Sequence, residues 1–182
     1  MQEVVRKMNT RRAIILLGVA MAVLFLASSL LSTEPSAQTT SPEGKIVYQM
    51  QDTEPGEHLY DIWMMDADGT NQTNLTKTPE SNETQPTWSS DGTRIAFTGE
   101  GSEPNADGDV LLDIWVMDAD GSNLTNLTNT PNLSEYQPSW APSSTELVFV
   151  RDVPGQVISE QPDIFVMDAN GQTPASNLTN TD

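Results

Sequence analysis

Paired carboxylates recur at one spacing in this chain, as Asp66-Ala67-Asp68-Gly69 and again as Asp118-Ala119-Asp120-Gly121. Hard cations want several carboxylate and carbonyl oxygens, so each pair invites a calcium reading. The spacing is wrong for an EF-hand, because Gly comes too early and no Glu follows at the twelfth position. Asp and Gly also favour tight turns with no metal, and the turn explains both residue types. Ca2+ is therefore the one cofactor left open. A second group of acids lies in loops: Glu100, Glu103, Asp107 and Asp109 in one, and Asp52, Glu54 and Glu57 in its counterpart. Glu83 and Glu135 recur within Glu-X-Gln-Pro-X-Trp. Together, Glu83, Glu100, Glu103, Asp107, Asp109 and Glu135 are expected to make one face strongly negative. Such a face suits a basic protein or a cation; it would equally serve to solvate an acidic protein.

Bond-making chemistry finds few parts. His58 is the only histidine and there is no cysteine, so a nucleophile-base pair of the usual kind would have to recruit His58 from a polar loop. Metal-assisted hydrolysis lacks a histidine cluster. The expectation is a non-enzymatic protein. Asn74-Leu75-Thr76, Asn126-Leu127-Thr128 and Asn177-Leu178-Thr179 are among several N-glycosylation acceptor patterns. An outer strand rich in Asn and Thr produces such patterns without any glycan.

The elements that must position these residues are set by a repeat. Asp61–Gly69 returns as Asp113–Gly121 and Asp163–Gly171, with starts 52 and then 50 residues apart. Between 61–88 and 113–140, 19 of 28 positions are identical, so the unit is a duplicated fold element. A period of this size with strand-like content marks a β-propeller blade. Each unit divides into four short strands. Gln85-Pro86-Thr87-Trp88, echoed by Gln137–Trp140, is the first, and its proline suits an edge strand because proline cannot donate to a ladder. A turn at Ser89–Gly92 leads to the second, Arg94–Thr98, matched by Glu146–Val150 and Lys45–Gln49. The third is the Asp-Ile-Trp segment, apolar without alternation, as expected when both faces of a sheet are covered. The fourth is Asn71–Thr76 or Asn123–Thr128. Helices are a poor alternative for apolar runs this short, bounded by Gly, Pro and Asn.

Gln-Pro-Ser-Trp, an Asp-Gly turn, Ile-Ala-Phe, Asp-Ile-Trp-Val-Met-Asp-Ala-Asp-Gly-Ser-Asn and Leu-Thr together resemble the TolB-type β-propeller repeat, a WD-like family. The resemblance covers about 41–182. It implies closed rings, commonly of about six blades, that bind proteins or ligands at the ring face or channel. It also implies a non-enzymatic envelope role like that of the founding periplasmic member, although some related propellers gate serine peptidases. Two departures stand out. The first unit has no Trp-bearing first strand, and the third replaces Asp-Gly by Pro142-Ser143-Ser144. Three units fall short of a ring of 4–8 blades. The expectation is a partial propeller, either truncated or completed by association of copies.

The chain of 182 residues carries a net charge of −18, unevenly placed. Arg6, Lys7, Arg11 and Arg12 precede Ala13–Leu31, a run with no charge. Four basic and 25 acidic residues follow Leu31, a net of −21. So acidic a body argues against nucleic acid as a partner, because phosphate binding depends on Lys and Arg. The 19-residue apolar run sits between a signal-peptide core and a spanning helix, and its basic flank predicts a cytoplasmic N-terminus. Strong apolarity after Arg11-Arg12 favours the general secretory route over a twin-arginine signal. Without cysteine there is no lipoprotein anchor and no disulfide framework. The expected organisation is an all-β chain of four-stranded antiparallel blades preceded by an N-terminal apolar helix. Residues 1–32 are a signal peptide or membrane anchor, 33–43 a flexible linker, and 44–182 the propeller repeats, with units about 44–79, 80–131 and 132–182. The expected function is an extracytoplasmic binding or scaffold module, periplasmic or extracellular, acting on an envelope or secreted protein and tethered to the membrane if the leader stays. The alternative is an accessory propeller of a peptidase-like hydrolase or a lyase whose catalytic part lies elsewhere. Trp63, Trp88, Trp115, Trp140 and Phe165 are expected to be core residues.

Overall fold

Apolar runs bounded by turn residues become strands, and the computed structural model arranges them as three four-stranded antiparallel sheets. It describes residues 36–40, 44–51, 59–101, 108–152 and 162–179. The proposed leader and its apolar helix, along with His58, Glu103 and Asp107, lie outside the described residues. Among the described residues, no helix is long and apolar enough to cross a membrane. The first sheet contains β1 (Ser36–Thr40), β2 (Lys45–Gln51), β3 (Tyr60–Asp66) and β4 (Thr73–Asn74). The second contains β5 (Thr84–Trp88), β6 (Arg94–Glu100), β7 (Leu112–Asp118) and β8 (Thr125–Asn126). The third contains β9 (Glu135–Trp140), β10 (Glu146–Arg151), β11 (Asp163–Asp168) and β12 (Ser176–Asn177). Within each sheet the strands lie side by side in chain order, so each sheet is one propeller blade.

Two expectations need correction. The stretch read as a flexible linker holds β1, which pairs with β2 through Ser36↔Gln49 and Thr40↔Ile46. Its register matches β5 on β6, where Thr84 pairs with Thr98 and Trp88 with Ile95. β1 thus fills the first-strand position that the sequence reading leaves vacant. Its residues are small and polar where β5 has Pro86 and Trp88, so it carries no apolar signal. The fourth strands are shorter than expected, two residues each. Asn71 and Asn123 both adopt left-handed backbone with φ of 54°, and their amides bond to Asp66 and Asp118. At the far end, the Asn74 side chain accepts from the amides of Thr76 and Lys77. Side-chain bonds of this kind compete with the ladder and end it early.

The core lies between the blades. Val47 and Ile62 of the first blade pack against Trp88, Ile95, Phe97 and Met117 of the second. Ala96, Ile114 and Val116 of the second pack against Leu147, Phe149, Met167 and Ala169 of the third. Successive side chains of a strand face opposite sides, so β7 sends Ile114 and Val116 one way and Trp115 and Met117 the other. This explains the unbroken apolar run in the sequence. Trp88 is buried, Trp115, Trp140 and Phe165 are partly buried against these clusters, and Trp63 lies half-buried on the far face of the first blade.

Polar contacts lock the second blade to the third at the β-turn end. Ser144 stands where the second blade has Gly92, and it keeps the left-handed backbone, with φ of 59° against 70°. Its side-chain oxygen accepts from the Asp91 amide at 3.0 Å, which a glycine could not do. Arg94 donates to the carbonyls of Ser144 at 2.6 Å and Ala169 at 3.2 Å, and its guanidinium lies 4.7 Å from the Trp140 ring centre.

Gly99 marks the tightest packing within a blade: a Cβ there would sit 2.8 Å from Trp115 Cδ1. Gly99→Ala should therefore destabilise the chain by about 1–3 kcal/mol, the usual penalty of overpacking. Urea unfolding measures this, and an unchanged midpoint would contradict the contact.

Candidate functional site

Each third strand carries an aspartate as its first or second residue, and all three are buried: Asp61, Asp113 and Asp163. A buried carboxylate needs partners, and the chain supplies them from the end of the fourth strand and just beyond it. The Asn126 amide donates to Asp113 at 2.6 Å, Thr128 Oγ1 donates at 3.2 Å, and the Thr130 amide at 3.2 Å. Asn74, Thr76 and Thr78 do the same for Asp61, and Asn177 and Thr179 for Asp163. Thr76, Thr128 and Thr179 also accept from the amides of Ile62, Ile114 and Ile164, each at 3.0 Å. The Asn-Leu-Thr patterns that look like glycosylation acceptors are thus the pins of the blade.

Glu83 and Glu135 extend the same network. Thr78 Oγ1 lies 2.6 Å from both oxygens of Glu83, and Thr130 Oγ1 lies 2.6 and 2.7 Å from those of Glu135. Glu135 also receives Arg151 Nε at 2.8 Å. Arg151 is held with its guanidinium 4.3 Å from the Phe165 ring centre and 5.5 Å from that of Phe149. Here the expected acidic face is corrected: Glu83 is 4 % exposed and Glu135 is fully buried. Both sit at the loop end of the blades, as expected, but beneath its surface. Burial pushes each carboxyl up to about 7, with the threonine hydroxyls opposing the shift, and Arg151 also at Glu135.

Of the remaining residues expected on that face, Glu100 and Asp109 are half-buried at the two ends of the β6–β7 connection. The Gly101 amide closes the base of this connection by donating to the Leu111 carbonyl at 2.7 Å. Glu103 and Asp107, between them, lie outside the described residues. The paired aspartates at the opposite end belong to turns. Asp68 accepts from the amide and hydroxyl of Thr70, and Asp120 from those of Ser122. These hydroxyls hold both carboxyls below their ordinary range. Asp66 is taken by Lys45 and Asn71. Among the described residues, no group of three or more His, Cys, Asp or Glu is placed to hold a metal ion.

Sequence reasoning missed Arg151 and the threonine pins. A signal was present: Asn-Leu-Thr-X-Thr follows each Asp-Ile-Trp/Phe segment, and Glu83 and Glu135 each stand five residues after the last threonine where the described chain reaches that far. Conserving that pattern across repeats serves one hydrogen-bond network.

Two outcomes follow for stability. Asn126→Ala leaves Asp113 short of a partner and should cost about 1–3 kcal/mol. Asn177→Ala, at an exposed position, should cost less; equal losses in urea unfolding would contradict the burial difference. Glu83 and Glu135 bind protons more tightly folded, at about 7, than at their ordinary value of 4.5. Their contribution is full below 4.5 and is lost as pH rises through 7. The Tm should fall over that window, and a Tm that rises there would contradict it.

No protein-family model matches the chain, and no curated protein matches it by sequence. Solved structures do match. A protein assigned as TolB from Agrobacterium tumefaciens aligns with a TM-score of 0.62 at 23% identity, covering 81% of this chain and 50% of that one. The propeller of a nidogen/laminin complex aligns at 0.56 with 13% identity, over 78% of this chain and 46% of that one. The tricorn protease aligns at 0.53 with 19% identity, over 74% of this chain and 13% of its own. The chain spans half the length of the TolB structure it matches. At these identities the likeness is one of fold: the described residues form three blades of a TolB-like β-propeller.

Proposed function

We propose that this chain is a non-enzymatic binding or scaffold module that works outside the cytoplasm and engages a basic protein through its loop face. One observation carries this reading. The buried carboxylates Asp61, Asp113, Asp163, Glu83 and Glu135 are all engaged by amides and hydroxyls of their own blades or, at Glu135, also by Arg151. Glu100 and Asp109, at the two ends of the β6–β7 connection, are the described residues of the expected acidic face that are half-buried rather than enclosed. The net charge of −21 after Leu31 supports a cationic partner, and the basic flank of Ala13–Leu31 supports export. Binding to poly-lysine, followed by titration calorimetry, tests the reading. Affinity should fall with salt, since exposed charges are screened, and Glu100→Gln with Asp109→Asn should weaken it severalfold. Salt-independent binding, or none, would refute it.

A second reading rests on the open face of the third blade. Ile62 and Ile114 are fully buried under the next blade, whereas Ile164 at the same position is 40 % exposed. Leu178 is exposed where Leu75 and Leu127 pack against a neighbour. This supports an arc completed by further blades, from a second copy or from a polypeptide carrying a hydrolase or lyase part. Native molar mass by light scattering distinguishes the cases. A compact dimer abolished by Ile164→Asp supports completion by a second copy. A monomer whose stability is untouched by Ile164→Asp speaks against any covering blade.

A further inference from the structure

The connection from β4 to β5 carries the chain from the first blade into the second and ends at Glu83. The Glu83 amide donates to the Tyr60 carbonyl at 2.7 Å, which ties the start of the second blade to β3. Its carboxyl group meets Thr78 Oγ1, which in turn lies 3.4 Å from Asp61 Oδ1. Two carboxyl groups thus converge on one hydroxyl, and a hydroxyl has one proton to give. Asp61 already accepts from Asn74, Thr76 and the Thr78 amide, so it is the group equipped to hold the negative charge. The contacts are all satisfied when Glu83 carries a proton and donates to Thr78, while Thr78 donates to Asp61.

Ionised Glu83 would keep hydroxyl donors but would compete with Asp61 for Thr78 and meet a like charge there, with burial against it. Its neighbours are the hydroxyls of Thr76, Thr78 and Ser81 and the charge of Asp61. The other titratable or charged groups on the elements packed around it are Tyr60 and Asp66 on β3, Arg94 and Glu100 on β6, Lys45 on β2, and Lys77 and Glu80 in the connection; Asp66, Arg94 and Lys45 stand at the opposite end of their strands. Lys77 and Glu80 are exposed. The next junction is built differently. Arg151 pairs across the ladder with Asp163 as Gly99 does with Asp113, so the position that supplies a guanidinium to Glu135 carries no side chain beside Glu83. Trp115 occupies the space over Gly99.

We propose that the junction between the first and second blades is a pH-responsive joint, closed while Glu83 is protonated and loosened when it ionises, whereas Arg151 keeps the second junction closed. The upward push of Glu83 to about 7 by burial sets the transition near neutrality; Glu135 is pushed to about 7 as well, but once ionised it keeps Arg151 Nε as a cationic partner at 2.8 Å. Loosening releases the Tyr60 carbonyl and the β5 end from each other, and it does so without disturbing the Asp113–Thr130–Glu135–Arg151 cluster.

Hydrogen exchange with mass spectrometry on the full chain tests this on either side of neutral pH, with rates corrected for intrinsic pH dependence. Amides of 75–88 should lose protection severalfold above neutrality, while those of 127–140 keep theirs. Glu83→Gln, which mimics the protonated group, should hold 75–88 protected at both pH values. Equal protection of wild-type 75–88 at both pH values would overturn the joint, as would loss confined to 127–140. Loss that persists in Glu83→Gln would also overturn it. If that variant folds poorly, the comparison of the two connections in the wild type still decides.

Discussion

Every blade of this chain is a sheet that is apolar on both faces, and such a sheet is stable only with a neighbour on each side. That constraint accounts for most of what the molecule shows. It requires the third strands to run Ile-Trp-Val-Met without polar interruption. It places the core between blades rather than within them, as Val47–Ile62 against Ile95–Phe97 and Ile114–Val116 against Leu147–Phe149. It also forces close approach where bulk accumulates, so Trp115 needs Gly99 diagonally beside it on β6, and the Gly121 turn comes within reach of the Leu75 carbonyl. Where the constraint is unmet, at the third blade, Ile164 and Leu178 stand in solvent.

Apolar faces alone would let blades slide, because hydrophobic contact is non-directional. Direction comes from the buried polar network. An aspartate at the head of each third strand collects an asparagine amide from the end of the fourth strand and a threonine hydroxyl from just beyond it, and Asp61 and Asp113 add a second threonine's amide. In the first two blades the network continues to a glutamate at the start of the next inner strand. The inner strands add a second tie: the Gln85 amide donates to Gln49 Oε1 at 2.8 Å, and the Gln137 amide donates to Gln85 Oε1 at 2.9 Å. Both glutamines hold left-handed backbone at a bulge, with φ of 55° and 57°, which turns their amides toward the preceding blade. Buried carboxylates are costly unless fully bonded, so this network confers register and blade order more than raw stability.

Much of this was legible in the sequence because it repeats. The 52-residue offset, the Asp-Gly turns and the unalternating apolar strands define blades whatever residues fill the loops. β1 escaped because it contributes backbone to β2 without the Trp or Pro that mark β5 and β9. Glu83 and Glu135 were placed on an open face because charge in a loop ordinarily means solvent. Their burial depends on Thr78 and Thr130, distant in strand register though only five residues away in sequence. The Asn-Leu-Thr repeats looked like a polar outer edge for the same reason: their partners, Asp61, Asp113 and Asp163, lie across a strand. Arg151 has no counterpart in the other repeats, so no periodicity could single it out.

The claim on which the rest turns is that these acids are structural and enclosed. Carbon-detected NMR titration of the side-chain carboxyl groups reads it directly. Glu83 and Glu135 should titrate at about 7. Titration of both in the ordinary carboxylate range would mean that water reaches them and that the network does not hold the blades.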